Sequence, residues 1–209
     1  MDIKVNERAE LDALLKRLYD LFGFRPVSIA HEDKPDFRIA IHDRIIGVET
    51  TRSNCEEQAR AHKLQASVFP SSWANLTDLR DKQRRRSSEE IIASACKHPT
   101  DPTIPWKKVS EAMLDWAKSI GAILTRKRLK YNKPEFQTFD ENWLLIHHYP
   151  PSQVDVFTQP LAQELLKEIF NSPEEVDRDF DAIFVHSDDY LFCWHEQELS
   201  VWLNKTRVG

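Results

Sequence analysis

Lys34-Pro-Asp-Phe-Arg-Ile-Ala-Ile-His-Asp-Arg-Ile-Ile-Gly-Val-Glu-Thr-Thr51 reads as two short strands, residues 36–41 and 44–51, joined by a tight polar turn at His42-Asp43. Phe37, Ile39 and Ile41 alternate with Asp36, Arg38 and Ala40, the period-2 pattern of a half-buried strand. A two-residue loop pairs Ile41 with Arg44, sets Ile39 across from Ile46 and Phe37 across from Val48, and by counting back places Asp36 opposite Glu49. The apolar residues then share one face and the two carboxylates the other. A register shift of two would bring Asp36 opposite Thr51 without exchanging faces, because only a one-residue slip does that.

Two carboxylates held side by side repel, and a bound hard cation is the usual compensation. Short acidic side chains offering oxygen suit magnesium or manganese. The alternative is a hairpin whose polar face is simply wet, since acidic residues are common on exposed strand faces.

Pro35-Asp36 followed by Gly47-Val48-Glu49-Thr50-Thr51 resembles the hallmark of the PD-(D/E)XK nuclease superfamily, in which a Pro-Asp opens the second core strand and a Glu-x-Lys lies on the third. The wording is most similar to the branch that reads PDF-x-I … IGVE-x-T. The resemblance implies a restriction-endonuclease-like αβββαβ core. It assigns Asp36, Glu49 and the carbonyl of Thr50 to a Mg²⁺ or Mn²⁺ ion. Thr51 stands where the superfamily usually carries its lysine, so the charge-stabilising group has to come from elsewhere in the chain. The first helix of the family often adds a glutamate, for which Glu7 is the first candidate and Glu10 the second; both also suit a helix N-terminus as solvated first-turn acids.

At 209 residues the chain can build one sizeable core. Its hydrophobic content of 41% and charged content of 30% are those of a soluble globular protein. A net charge of −5 gives no global argument for nucleic acid, so any such binding rests on local patches. Cys55, Cys96 and Cys193 are scattered and without C-x-x-C spacing, which fits reduced thiols in a cytoplasmic protein better than disulfides or zinc. The N-terminus is charged from Asp2 and Lys4 onward, so no signal peptide is expected, and no apolar run approaches the length needed to span a bilayer.

Upstream of the hairpin, Leu11, Leu14, Leu15, Leu18, Leu21 and Phe22 predict an amphipathic helix from about residue 6 to 22, ended by Gly23. Residues 25–30 follow as a strand. Downstream, residues 52–108 read as an α-helical, basic insertion within a single domain of residues 1–209. Ser87-Ser-Glu-Glu90 there resembles a capping box, and Arg80, Lys82, Arg84, Arg85 and Arg86 form its cationic cluster, which could contact phosphates or be a solvated surface.

Residues 110–129 predict a second amphipathic helix. Met113, Ala117, Ile120, Leu124 and Lys127 fall on one side of it. A lysine in an apolar stripe can snorkel at the helix end and complement its dipole. The resemblance implies a sharper role, because in several branches a lysine of this helix replaces the missing strand lysine, and Lys127 lies four residues before Tyr131 as that pattern requires. Arg126, Arg128 and Lys130 are then left to face solvent or phosphates. Residues 142–146 predict a strand buried on both faces. His147 and His148 would point to opposite faces of it and are read as structural. A helix over 159–170 and strands over 182–186 and 190–194 complete the pattern, with His186-x-Asp188-Asp189 at their turn; residues 199–209 carry no signal.

Together these features predict an α/β domain, a mixed central sheet flanked by helices, that hydrolyses phosphodiester bonds of nucleic acid, DNA ahead of RNA. Asp36 and Glu49 would hold the metal and Lys127, or Arg52 behind it, would stabilise the phosphate, while Thr51 hydrogen-bonds a metal-bound water. The resemblance also allows a homodimer. Two other classes stay open: a catalytically silent relative acting as a regulatory or scaffold module, for which Thr51 is the evidence, and a nucleic-acid-binding protein whose affinity comes from the basic insertion.

Overall fold

Leucines recurring every three to four residues make the first helix, α1 (Ile3–Phe22), and Leu11, Leu14, Leu15 and Leu18 are its buried stripe. It stops at Gly23, whose positive φ of 70° is the left-handed conformation that a glycine adopts without cost. The Gly23 amide donates to the Tyr19 carbonyl at 2.8 Å, satisfying one of the last free acceptors. The computed structural model describes residues 3–53, 73–74, 87–90, 96–97, 109–148, 159–172, 176–186 and 190–203.

The strands β1 (Ser28–His31), β2 (Phe37–Ile41) and β3 (Arg44–Arg52) form an antiparallel meander. The helix α2 (Val109–Tyr131) then leads to β6 (Glu141–His147), which runs parallel to β3. From β6, α3 (Gln159–Phe170) leads to β7 (Ala182–His186), again parallel. Parallel neighbours need such crossovers, since a tight turn can only reverse the chain. Two antiparallel strands close the sheet, β8 (Tyr190–His195) and β9 (Glu198–Leu203). The seven strands lie in the order β1-β2-β3-β6-β7-β8-β9, so the protein is α/β with a mixed sheet.

Alternate residues of the central strands enter two separate cores. Leu145, Phe184, Phe37 and Val48 pack with the leucines of α1. Leu144, Ile146, Ile183 and Val185 pack with Ile120 and Leu124 of α2 and Leu166 of α3. The sheet is therefore covered by α1 on one face and by α2 and α3 on the other, which is why β6 is buried along both.

The hairpin has the register that a two-residue loop dictates: Phe37 pairs with Val48, Ile39 with Ile46 and Ile41 with Arg44. At its turn His42 takes a φ of 48°. The last strand, β9, is a correction to the reading of residues 199–209 as uninformative. A two-residue turn at Glu196-Gln197, both at positive φ (50° and 63°), folds it back with Glu198 against His195. Neither residue is the Gly or Asn that normally announces such a turn, so no turn signal precedes the strand.

The chain divides into two compact units, residues 1–53 with 112–209, and residues 54–111. Within the second, β4 (Trp73–Ala74) pairs antiparallel with β5 (Cys96–Lys97), so it is not purely helical as expected. Its capping box forms as read: the Ser87 amide donates to Glu90 Oε2 at 2.8 Å and the Glu90 amide donates to Ser87 Oγ at 3.2 Å. The cluster Arg80, Lys82, Arg84, Arg85 and Arg86 and the turn at Asp188-Asp189 lie outside the described residues. Among the described residues, Cys193 is a free thiol that burial pushes up to about 12, and no helix is long and apolar enough to cross a membrane.

Candidate functional site

Pro35 is buried over Gly47, and Asp36 follows it just ahead of β2, which starts at Phe37 and not at residue 36 as expected. A Cβ at Gly47 would stand 2.8 Å from the Pro35 ring and 2.7 Å from the Phe139 ring, closer than side chains tolerate. Glycine is therefore required at 47 by close approach, which gives the Pro-Asp and Gly-Val-Glu segments a packing reason to occur together. Asp36 is held by the neighbouring strand: its Oδ2 accepts from the Thr50 amide at 2.7 Å and from Thr50 Oγ1 at 3.0 Å.

Glu49 points to the opposite face from Val48, toward α2, and is 1% exposed. Its Oε1 accepts from two ammonium groups of that helix, Lys127 Nζ and Lys130 Nζ, each at 2.6 Å. Lys127 Nζ donates as well to the carbonyl of Thr50 at 2.8 Å. Positions three apart share a helix face, so both lysines reach the same carboxylate. Glu49 Oε2 is buried and has no hydrogen-bond partner among the described residues.

The end of α2 is fixed by its other side chains. Arg128 forms a two-pronged pair with Asp179, Nε to Oδ1 at 2.9 Å and Nη2 to Oδ2 at 2.5 Å, and donates to the Phe170 carbonyl at 3.3 Å. Tyr131 is buried and stacks on Phe180 with centroids 4.7 Å apart; burial and the nearby Asp181 carboxylate raise its phenol pKa. The Asn132 side chain donates to the Arg178 carbonyl and accepts from the Arg178 amide. These contacts tie the C-terminal end of α2 to residues 178–180 and to the end of α3.

On the other side, α1 presents Glu7 and Glu10. Burial, and then the negative charge of Asp36, raise the Glu7 carboxyl pKa, while His31, Lys127 and Arg52 pull it down. Glu7 thus shares the electrostatic field of Asp36 and Lys127. Glu10, buried, instead pairs with the part-exposed Arg52 at 2.5 Å. Thr51 is half-buried at the end of β3.

Two assignments of cationic residues to solvent or phosphate are corrected. Arg128 is 3% exposed and locked to Asp179, so it cannot follow a nucleic-acid backbone. Lys130 is turned inward onto Glu49; its three-residue spacing from Lys127 was the signal for this. Arg126 is exposed on α2 as expected. The His147 and His148 rings diverge: His147 faces His186 at 5.6 Å between centroids, and His148 faces Trp116 at 5.9 Å and hydrogen-bonds Ser53 Oγ. Burial and then His147 lower the His186 pKa to about 3, so it is neutral.

The donors that could hold a metal are Asp36, Glu49 and the Thr50 carbonyl, all hard oxygens. Among the described residues no group of three or more His, Cys, Asp or Glu side chains forms a metal cage. Magnesium does not require one, since it keeps several waters and binds through one or two carboxylates. An unpartnered carboxylate oxygen on a nearly inaccessible Glu49 fits that chemistry. No family model, curated protein or solved structure matches the chain.

Proposed function

We propose that this protein is a divalent-metal-dependent nuclease with a restriction-endonuclease-like core, hydrolysing phosphodiester bonds of nucleic acid. The observation that carries the reading is Lys127. Its ammonium, delivered from α2, lies 2.6 Å from Glu49 and 2.8 Å from the Thr50 carbonyl and thereby supplies the positive charge that Thr51 lacks. Supporting it are the order α1-β1-β2-β3 followed, after the inserted β4 and β5, by α2-β6, with β3 parallel to β6, and the pairing of Phe37 with Val48, one step from Asp36 and Glu49.

Asp36, Glu49 and the Thr50 carbonyl would hold Mg²⁺ or Mn²⁺, which supplies a bound water of lowered pKa and charge neutralisation at the phosphate. The remaining work falls to the chain's own groups. Thr50 fixes the Asp36 carboxylate with two hydrogen bonds. Lys127 stabilises charge as it builds on the phosphate. Thr51 offers a hydroxyl to a water, and Glu7, with its raised pKa, can hold a proton beside Asp36. Arg126 extends the positive surface of α2 along the substrate backbone.

A second reading follows from the same contact. Lys127 already bonds two of the oxygens assigned to the metal, as it would in a silent relative whose acidic pair is neutralised by lysine. Incubation of the wild type, Asp36→Asn and Lys127→Met with single- and double-stranded DNA and RNA, with Mg²⁺ or Mn²⁺, separates the two. Metal-dependent cleavage lost in both variants establishes the nuclease. Metal-independent inertness of all three proteins overturns it in favour of the silent module.

A further inference from the structure

We infer that Lys127 is an exchangeable ligand of the site: its ammonium occupies the place between Glu49 Oε1 and the Thr50 carbonyl when no metal is bound, and metal entry drives it out. The inference rests on the metal assignment above and deepens it. Two of the oxygens given to the metal are those that Lys127 Nζ holds at 2.6 and 2.8 Å. An ammonium and a divalent cation cannot share them, because at such separations their repulsion in a water-poor site is large and the Lys127 side chain is only 13% exposed.

Lys130 holds Glu49 Oε1, at 2.6 Å, but not the Thr50 carbonyl, and its side chain is 34% exposed, so solvent screens its repulsion of a metal more than that of Lys127. The buried Glu49 Oε2, without a hydrogen-bond partner among the described residues, is the oxygen left for the metal to take first. Lysine suits the role of the leaving group, being a compact charge on a flexible four-carbon stem that can swing without moving its helix. The displaced ammonium is then released beside the metal, where a phosphate oxygen is its next acceptor. Lys127 thus excludes metal from the empty site and becomes available to substrate only once metal is in place.

Calorimetric titration of Mn²⁺ alone into the full chain tests this. Lys127→Met is expected to bind Mn²⁺ about tenfold to a hundredfold more tightly than the wild type, the worth of a hydrogen-bonded charge pair that no longer has to be broken. Lys130→Met is expected to change affinity less, and Asp36→Asn to abolish binding. Equal or weaker binding by Lys127→Met, with Asp36→Asn still abolishing it, overturns the exchange while leaving the metal site standing. Absence of Mn²⁺ binding by every protein overturns the metal site and the exchange together. A second measurement needs no variant: acylation of Lys127 in the wild type, read by mass spectrometry, is expected to rise several-fold on Mn²⁺ addition relative to Lys130. Unchanged or reduced labelling would sink the exchange.

Discussion

Lys127 Nζ lies 2.6 Å from Oε1 of Glu49 although the two residues are 78 positions apart in the chain. The contact joins the second helix to the third strand at the point where Asp36 and Thr50 also meet. It turns a motif with a missing lysine into a site with a cation. The first prediction concerns that cation: Lys127→Met is expected to lower cleavage by about a hundredfold or more while leaving the far-UV circular dichroism unchanged. Cleavage at wild-type rate would remove Lys127 from the reaction.

Gly47→Ala forces a methyl against the Pro35 and Phe139 rings at under 3 Å. Overpacking of this kind costs about 1–3 kcal/mol. Urea unfolding should show the loss, and cleavage should fall with it because Pro35 positions Asp36. A neutral Gly47→Ala would mean that the rings give way freely.

Arg128→Ala removes a two-pronged ion pair and a hydrogen bond to the Phe170 carbonyl, and should cost about 1–3 kcal/mol. Lysine should not rescue it, since a single ammonium cannot reproduce the planar fork. Arg126→Ala, on the exposed face, should stay within about 0.5 kcal/mol. Matching midpoints for the two alanine variants would contradict the burial of Arg128.

Glu7 and stability should pull in opposite directions. Its carboxyl pKa is raised above 4.5 by burial and by Asp36, so the folded state holds this proton more tightly than the unfolded chain. Stability from this group is present below pH 4.5 and is lost as pH rises through the folded pKa. Glu7→Gln should therefore raise the thermal midpoint at pH 7 and flatten its decline above pH 4.5, while reducing cleavage. A lower midpoint at pH 7 would show that Glu7 is held by favourable partners instead.

His186 works the other way. Neutral in the fold with a pKa of about 3, it takes up a proton on unfolding once the pH is below 6.5. The unfolded chain then binds more protons, so stability falls as pH drops from 6.5 toward 3, by about 1.4 kcal/mol for each unit. His186→Phe should reduce that slope. An unchanged acid-unfolding profile would assign the pH dependence to other groups.

The hairpin was legible residue by residue. Alternation in 36–41 and a two-residue turn leave one register that buries Phe37 and Ile39, and it is the one observed. The helix over 159–170 and the strand over 182–186 were equally readable, since each has a full apolar period and clear ends. The strand Glu198–Leu203 was missed because its turn residues are unusual, and its partner β8 is what makes it a strand.

The sequence by itself determined the local elements, the register that pairs Phe37 with Val48 and the absence of a lysine at Thr51, because these depend on periodicity and near neighbours. Tertiary structure decided that Lys130 joins Lys127 on Glu49 while Arg128 does not. Lys127, Arg128 and Lys130 are close together in the chain, yet two turn onto one carboxylate and the third is buried on Asp179. Their fates differ by a rotation of about 100° per residue around the helix, and what lies at each angle is set by strands and loops distant in sequence. A charge cannot know from its neighbours whether it will face water or a buried partner, and at this site that difference separates the residue proposed for catalysis from the one that holds the helix in place.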